Sequence, residues 1–377
     1  MAEVRPFRAV HYDERLTGPI SDLVAPPYDV ISPAERAQYL ARSPYNVARL
    51  ILPDTPGGAA RTWRDWRADG VLVAEADPAL WWLREEYEGP DGNRHRRESF
   101  FGLVHVEPYE RGIVRPHERT HAGPRRSQLE LLRAVRANLS PILLLYEDPA
   151  QRPRKALAPL VDGDPFFEAT DDSSTARIWP ITDPDAIAEA HTALADRSLV
   201  IADGHHRYET AVAYAAEDGS PEAHEMMAVF ANTDGEGLTI FPTHRVVREL
   251  PELNGSLRIT PLGVTPGEAL ERLGAIGHDH AAFLVYRRDG AALVEAPGDD
   301  RLDTAVLDQL GIEQPHYTPR ADEAVALVDS GEAEAAFLLR PPTIQQVRAV
   351  AEAGGTMPQK STYFYPKLLS GLLFHQL

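Results

Sequence analysis

Residues 202–211 read ADGHHRYETA, and their setting decides how the chain is interpreted. The apolar, β-rich run Leu199-Val200-Ile201 feeds directly into Asp203-Gly204-His205-His206-Arg207. Tyr208, Ala211, Val212, Tyr214 and Ala215 then recur at helical spacing, so the pattern predicts a strand, a tight polar turn and a helix. A helix start presents backbone N–H groups without helical partners at the positive end of the macrodipole. Arg207 and two imidazoles at that point make a candidate phosphate site, with Gly204 allowing close backbone approach or a positive φ. A simpler reading keeps Asp203 as a helix cap and the next three residues as a solvated first turn. The density of chemistry at one strand-to-helix loop favours the site. The turn is neither a Walker loop, since G-x-x-x-x-G-K-[ST] is absent, nor a three-glycine dinucleotide fingerprint.

Composition narrows the partners. The chain has 377 residues, 43% hydrophobic and 25% charged, which is ordinary for a globular protein of two or three domains. Its formal net charge of −19 argues against non-specific DNA binding or an anionic membrane surface. With no cysteine there is no disulfide, zinc–thiolate site or thiol nucleophile. The first residues lack a signal-peptide pattern and no apolar run reaches the ~20 residues of a spanning helix, so a cytoplasmic protein is expected.

Upstream, Ala25-Pro26-Pro27-Tyr28-Asp29 reads as a rigid extended segment. Ser32-Pro33-Ala34-Glu35 is a helix start with Ser as cap and Glu at the third position. The stretch 48–52 reads as a strand, 57–60 as a loop and 63–70 as a short helix. Strands are expected around Trp81-Trp82-Leu83 and over 99–106, joined by a turn at Pro90-Asp91-Gly92-Asn93. Ala228-Val229-Phe230 and Leu238-Thr239-Ile240-Phe241 read as a hairpin. Residues 251–345 alternate helix and strand signals without a chemical cluster. The apolar run 368–374 predicts a tail that packs back on the body. We expect three parts, an N-terminal α/β segment (1–100), a catalytic core (101–250) and a C-terminal α/β scaffold (251–377), in a mixed α/β fold.

A second polar stretch, Arg115-Pro116-His117-Glu118-Arg119-Thr120-His121, precedes an amphipathic helix with Leu129, Leu132, Val135 and Leu139 on its apolar side. The run 117–121 fits H-E-x-x-H. Pro116, Gly123 and Pro124 oppose the long helix a zinc peptidase needs, and the neighbouring arginines would repel the metal. Thr243, His244 and Arg245 form a third group with anion-binding capacity. His117, Thr120, Arg126, Asn138, Thr243, His244 and Arg245 are the candidate substrate contacts.

Several of these segments are long and specific: APPYDVIS (25–32), RPHERT (115–120), RANLSPILLLY (136–146), IADGHHRYETA (201–211), FPTHRVV (241–247) and KSTYFYPKLLSGLLF (360–374). Together they resemble the bacterial and archaeal domain of unknown function 1015 over nearly the full chain. The DGHHR element is also similar to that of the ParB-like free-serine kinases, in which it binds a nucleotide's phosphates. That resemblance implies a ParB-like strand-turn-helix core with flanking α/β segments. It also implies a nucleotide or pyrophosphate donor (ATP, ADP or pyrophosphate), free serine or phosphoserine as the small-molecule partner, and a link to serine biosynthesis. Gly204, His205, His206 and Arg207 then match the phosphate turn. Asp203 would position Mg²⁺ or orient a histidine, and Glu118, by its order along the chain, would be the base, so that Glu118, Asp203, His205 and His206 form the catalytic set.

These observations support a phosphotransferase that forms O-phosphoserine and could assemble as a homo-oligomer. Two alternatives stay open. One is a phosphoserine phosphatase or nucleotide hydrolase using a histidine nucleophile, and the other is a nucleotide-dependent regulatory switch without turnover.

Overall fold

The computed structural model describes residues 2–89, 92–118, 122–172, 174–253, 257–298, 301–312 and 314–377. The fold is mixed α/β. The chain divides into two compact units, one formed by residues 1–116, 120–239 and 366–377, the other by 117–119 and 240–365.

The first unit is built on a nine-stranded mixed sheet. In spatial order it runs Val114–Arg115, Leu199–Asp203, Ile142–Tyr146, Glu225–Asn232, Arg94–His105, Leu80–Glu88, Ser174–Ile181 and Phe167–Thr170, with Val4–Arg5 also paired to Arg94–His105. Ile142–Tyr146 lies parallel to Glu225–Asn232 and antiparallel to Leu199–Asp203. Leu80–Glu88 and Arg94–His105 form the expected antiparallel pair, with Trp82 opposite Phe100. Pro90 and Asp91 of the expected turn lie outside the described residues.

Side chains alternate across a strand, so one sheet face collects Trp82, Phe100, Leu144, Ile201 and Phe230. This face packs against Ala190 and Leu194 of helix Pro184–Ala195 and against Tyr208, Ala211 and Tyr214 of helix His205–Asp218. Phe100 and Phe230 stack at 5.2 Å. Burial of each such ring contributes about 1.5–3 kcal/mol. The expected tail packing is present within this unit: Leu368, Leu369, Leu372, Leu373 and Phe374 are buried, Val10 exchanges backbone bonds with Phe374, and His375–Gln376 pairs with Ala137–Asn138.

Local chemistry explains both the agreements and the corrections. Helix Pro33–Arg42 starts with the expected capping box between Ser32 and Glu35. The expected strand at 48–52 is instead the short helix Ala48–Ile51. The Asn46 side chain accepts the Ala48 N–H at 2.9 Å and donates to the Asp22 and Val24 carbonyls, which turns the chain back before it can extend. The expected loop at 57–60 lies inside helix Pro56–Ala68, because Thr55 caps Gly58 N–H and Pro56 preorganises the first turn. The amphipathic helix is Ala122–Val135 and excludes Leu139, because Arg136 takes a φ of +55° and Ala137–Asn138 is a strand. No hairpin joins 228–230 to 238–241: Glu225–Asn232 belongs to the large sheet, while Thr239–Phe241 pairs with Tyr363–Tyr365.

The second unit holds a six-stranded antiparallel sheet in the order Arg258–Leu262, Gly290–Ala296, Ala281–Arg287, Ala335–Leu339, His244–Val247 and His316–Thr318. Helices Pro266–Gly274 and Ala321–Ser330 cover one face through Ala269, Leu273, Ala324 and Val328. Val306 and Leu307 of helix Asp303–Asp308 pack on the other. Among the described residues no helix is long and apolar enough to cross a membrane.

Candidate anion site at a strand-to-helix turn

Strand Leu199–Asp203 and the 14-residue helix His205–Asp218 meet at Gly204, as the sequence pattern predicts. The pairing of this strand with Ile142–Tyr146 shifts register between Ile201 and Asp203, and such an irregularity re-aims the following side chain. Gly204 then adopts φ +95°, and a Cβ there would stand 2.6 Å from Cγ2 of Ile142. Only glycine meets both conditions. Gly204, as the cap residue, has no side chain with which to cap the helix that follows.

Asp203 does not act as the helix cap. Its Oδ2 accepts a hydrogen bond from Arg207 Nη2 at 2.5 Å, and its Oδ1 accepts from Lys367 Nζ at 2.5 Å. Arg207 also donates through Nη1 to the Pro141 carbonyl. Burial would raise the Asp203 carboxyl, but the Lys367 ammonium and the Arg207 guanidinium outweigh it and hold the group well below the usual carboxylate range. Asp203 is therefore ionised at every physiological pH. His205 and His206 occupy the first helical turn, both half-buried.

Arg207 lines a small cleft of about 50 Å³ with Tyr28, Gln128, Asn138, Ser140 and Thr210. The remaining walls are apolar: Ile51, Leu131, Leu132, Ala137, Leu139, Ala211 and Met226. Burial pushes the Tyr28 phenol up to about 12, so it stays a neutral donor. An anion at Arg207 joined to an apolar or heteroaromatic body matches this lining. Asn138 contributes to the wall, but its Oδ1 is already used by the Met227 N–H at 2.8 Å. Arg126 is exposed on helix Ala122–Val135.

A Mg²⁺ ligand role for Asp203 does not fit. Both carboxylate oxygens are committed to cations, and the described residues contain no cluster of three His, Cys, Asp or Glu side chains that would hold a metal.

His117, Glu118, Thr243, His244 and Arg245 fall in the second unit. His117 is fully buried, with Nε2 2.9 Å from Thr362 Oγ1 and its ring edge-on to Phe364. Glu118 bridges to Met357, and its Oε1 accepts the Lys360 N–H at 3.0 Å. Thr120 lies outside the described residues, as do Arg119 and His121 of the H-E-x-x-H pattern. His244 accepts the Leu339 N–H on Nδ1 at 3.0 Å, and burial pushes its pKa down to about 4. Arg245 is buried, with Nη1 3.1 Å from Asp308, while its Nε and Nη2 and the Thr243 hydroxyl have no hydrogen-bond partner.

Lys367 is the residue that sequence reading missed. Two signals were present: the chain has only three lysines, Lys155, Lys360 and Lys367, and the last sits between an aromatic run and an apolar anchor. The structure adds a support. Arg97, paired with Glu85 at 2.7 Å in the interior, donates to the Pro366 carbonyl at 3.0 Å and so fixes the residue before Lys367.

Comparison with solved structures finds low-identity similarity. A free serine kinase in complex with AMP is 14% identical, with a TM-score of 0.40 over 71% of this chain and 88% of that one. A conserved hypothetical protein from Pyrococcus furiosus is 15% identical, with a TM-score of 0.38 over 71% and 92%. SbnI from Staphylococcus aureus, truncated at its C-terminus, is 13% identical, with a TM-score of 0.38 over 72% and 85%. No curated protein matches the sequence. The family profile for protein of unknown function DUF1015 matches residues 4–305, and the chain belongs to that family.

Proposed function

We propose that the protein is a phosphotransferase that moves a phosphoryl group from a nucleotide or pyrophosphate to the hydroxyl of free serine. The observation that carries this reading is Arg207, placed in the first turn of the helix that follows Gly204 and lining a largely apolar cleft. Backbone N–H groups and a guanidinium there suit phosphate oxygens, and the cleft suits a base or similar planar body. The acceptor is supplied by the resemblance of the DGHHR turn to free-serine kinases.

In the reaction the serine oxygen forms a bond to phosphorus while the bond from phosphorus to the donor's bridging oxygen breaks. Negative charge collects on the leaving phosphate, where Arg207 and the helix start stabilise it. His205 or His206 hydrogen-bonds the transferring or leaving oxygens. The hydroxyl proton passes to a carboxylate, and the resemblance assigns that role to Glu118.

Phosphorus NMR of the purified protein with serine, Mg²⁺ and each of ATP, ADP and pyrophosphate tests the reading. A new phosphomonoester resonance matching O-phosphoserine is expected with one donor. Release of inorganic phosphate alone would make the protein a hydrolase, and donor binding without turnover would make it a switch. For the base, Glu118→Gln should lower turnover roughly 10²–10⁴-fold while donor affinity survives. Unchanged turnover would remove Glu118 from the mechanism.

A further inference from the structure

The first unit holds a second cavity, of about 160 Å³, which shares no lining residue with the cleft at Arg207. Met226, near the start of strand Glu225–Asn232, lines the cleft, while Asn232 at the end of that strand lines the cavity. Six residues of extended chain put about 20 Å between them. Trp82, Phe100 and Tyr146, all from the apolar face of the large sheet, give the cavity an aromatic wall. Trp82 is only 1% exposed, and its indole N–H has no hydrogen-bond partner among the described residues. A buried donor of this kind is costly unless an acceptor is brought to it.

The remaining lining carries both signs of charge. Glu98 accepts from Arg84 at 3.3 Å and from Arg154 at 2.8 Å, while Arg96 stands 3.9 Å from the same carboxylate, beyond hydrogen-bond reach. Glu236, exposed like Arg96, supplies a carboxylate to the same lining. These groups sit on a backbone that is held in place. Asn232 accepts the Asp148 N–H at 3.0 Å and donates to the Asp148 carbonyl at 2.8 Å, and the Tyr87 hydroxyl donates to the Gly237 carbonyl at 2.9 Å. Gln151, also in the lining, keeps a φ of +52°, which few residues other than glycine adopt.

We propose that this cavity binds a small zwitterionic amino acid whose side chain carries an oxygen acceptor, at a site separate from the cleft at Arg207. The ligand's carboxylate meets Arg96, its ammonium meets Glu236, and its side chain runs along the aromatic wall with the oxygen at the Trp82 N–H. A simple anion would face the Glu236 carboxylate and a simple cation would face Arg96, whereas a zwitterion satisfies both. Volume sets the size. A cavity of this order takes a molecule about as large as benzene, so short side chains such as those of serine, threonine and asparagine fit and long or bicyclic ones do not. The assignment goes beyond the phosphotransferase reading and does not depend on it.

The indole N–H itself reports the test. The five tryptophans give five indole signals in the ¹⁵N-labelled protein, and single Trp→Phe variants assign them. Titration of the wild type with L-serine, L-threonine or L-asparagine should move the Trp82 signal saturably for at least one of them. L-alanine, which lacks the acceptor, should bind roughly tenfold more weakly. Arg96→Ala and Glu236→Gln, both at exposed positions, should keep the fold and each weaken binding about fivefold or more. A Trp82 signal that none of these amino acids moves would overturn the proposal, as would affinity unchanged in both variants. β-Hydroxypropanoate is serine without its ammonium group, and binding as tight as that of serine would make the cavity a plain anion site and the assignment wrong. Formation of O-phosphoserine with an unmoved Trp82 signal would leave the phosphotransferase reading standing and remove this one.

Discussion

Two short motifs of similar composition meet opposite fates in this molecule. Asp203-Gly204-His205-His206-Arg207 and Thr243-His244-Arg245 both combine imidazole and guanidinium groups near a strand. The first sits where a strand ends, after a register shift and at a glycine with φ +95°, and its Arg207 lines a cleft. The second lies at the start of a strand paired on both sides, between Ala335–Leu339 and His316–Thr318. There the His244 nitrogen becomes an acceptor for a backbone N–H, and Arg245 is buried with two nitrogens unsatisfied. Residue type alone does not separate a ligand site from an internal brace. Position relative to the end of the strand does.

Exchanging the roles of the two arginines is the strongest test of this contrast. Arg207→Ala should weaken a phosphate ligand by ~2–4 kcal/mol, since charge-assisted contacts are lost. It should also cost some stability, because Asp203 loses a partner. Arg245→Ala should lower stability through lost packing while ligand affinity stays at the wild-type level. Loss of ligand binding in Arg245→Ala and not in Arg207→Ala would reverse the comparison.

The histidines give a pH test. His244 is held near 4 in the folded protein by burial against about 6.5 unfolded, so the unfolded chain binds the extra proton in that window. Its contribution is fully present above pH 6.5 and is lost as pH falls towards 4, for a total of ~3 kcal/mol at 1.36 kcal/mol per unit. His375, also pushed down to about 4 by burial, adds in the same direction. Chemical melts across this range should show the loss in the wild type and a shallower one in His244→Asn. An identical slope in the variant would show that His244 is not buried as neutral imidazole.

Glycine substitutions probe the turn itself. Gly204→Ala should cost ~2–3 kcal/mol, combining a left-handed backbone with a clash on Ile142. Gly219, which ends the same helix at φ +70° with open space around its Cβ position, should cost only ~1 kcal/mol as Ala. Equal costs would mean that close approach to Ile142 does not shape the site. The smallest expected effect is Arg245→Met, within ~1 kcal/mol of wild type. It removes two unpaired nitrogens while keeping most of the apolar stem.

What could be read in advance follows the range of the interactions. The strand, the glycine turn and the helix are local, and residues 199–218 carry their own signals of alternation, positive φ and helical spacing. The capping box at Ser32 and Glu35 is equally local. The short helix at Ala48 was misread because its cause, the Asn46 amide reaching Asp22 and Val24, lies 22 and 24 residues away and leaves no periodic trace. The pairing of Lys367 with Asp203 has the same cause at larger scale, the two being separated by 164 residues. Charge compensation across such a distance has no sequence period. It shows only once the sheet has brought the two ends of the unit together.

The order of the chain makes the first unit late to complete. The first unit is interrupted by residues 240–365 and resumes only at 366. During synthesis the whole DGHHR turn is therefore made long before Lys367 and the buried residues around Phe374 exist. A polypeptide broken anywhere within the intervening stretch would carry the recognisable motif but lack the Lys367 partner of Asp203 and the strand that pairs with Ala137–Asn138. Assembly of the first unit would then wait until residues 366–377 have been made.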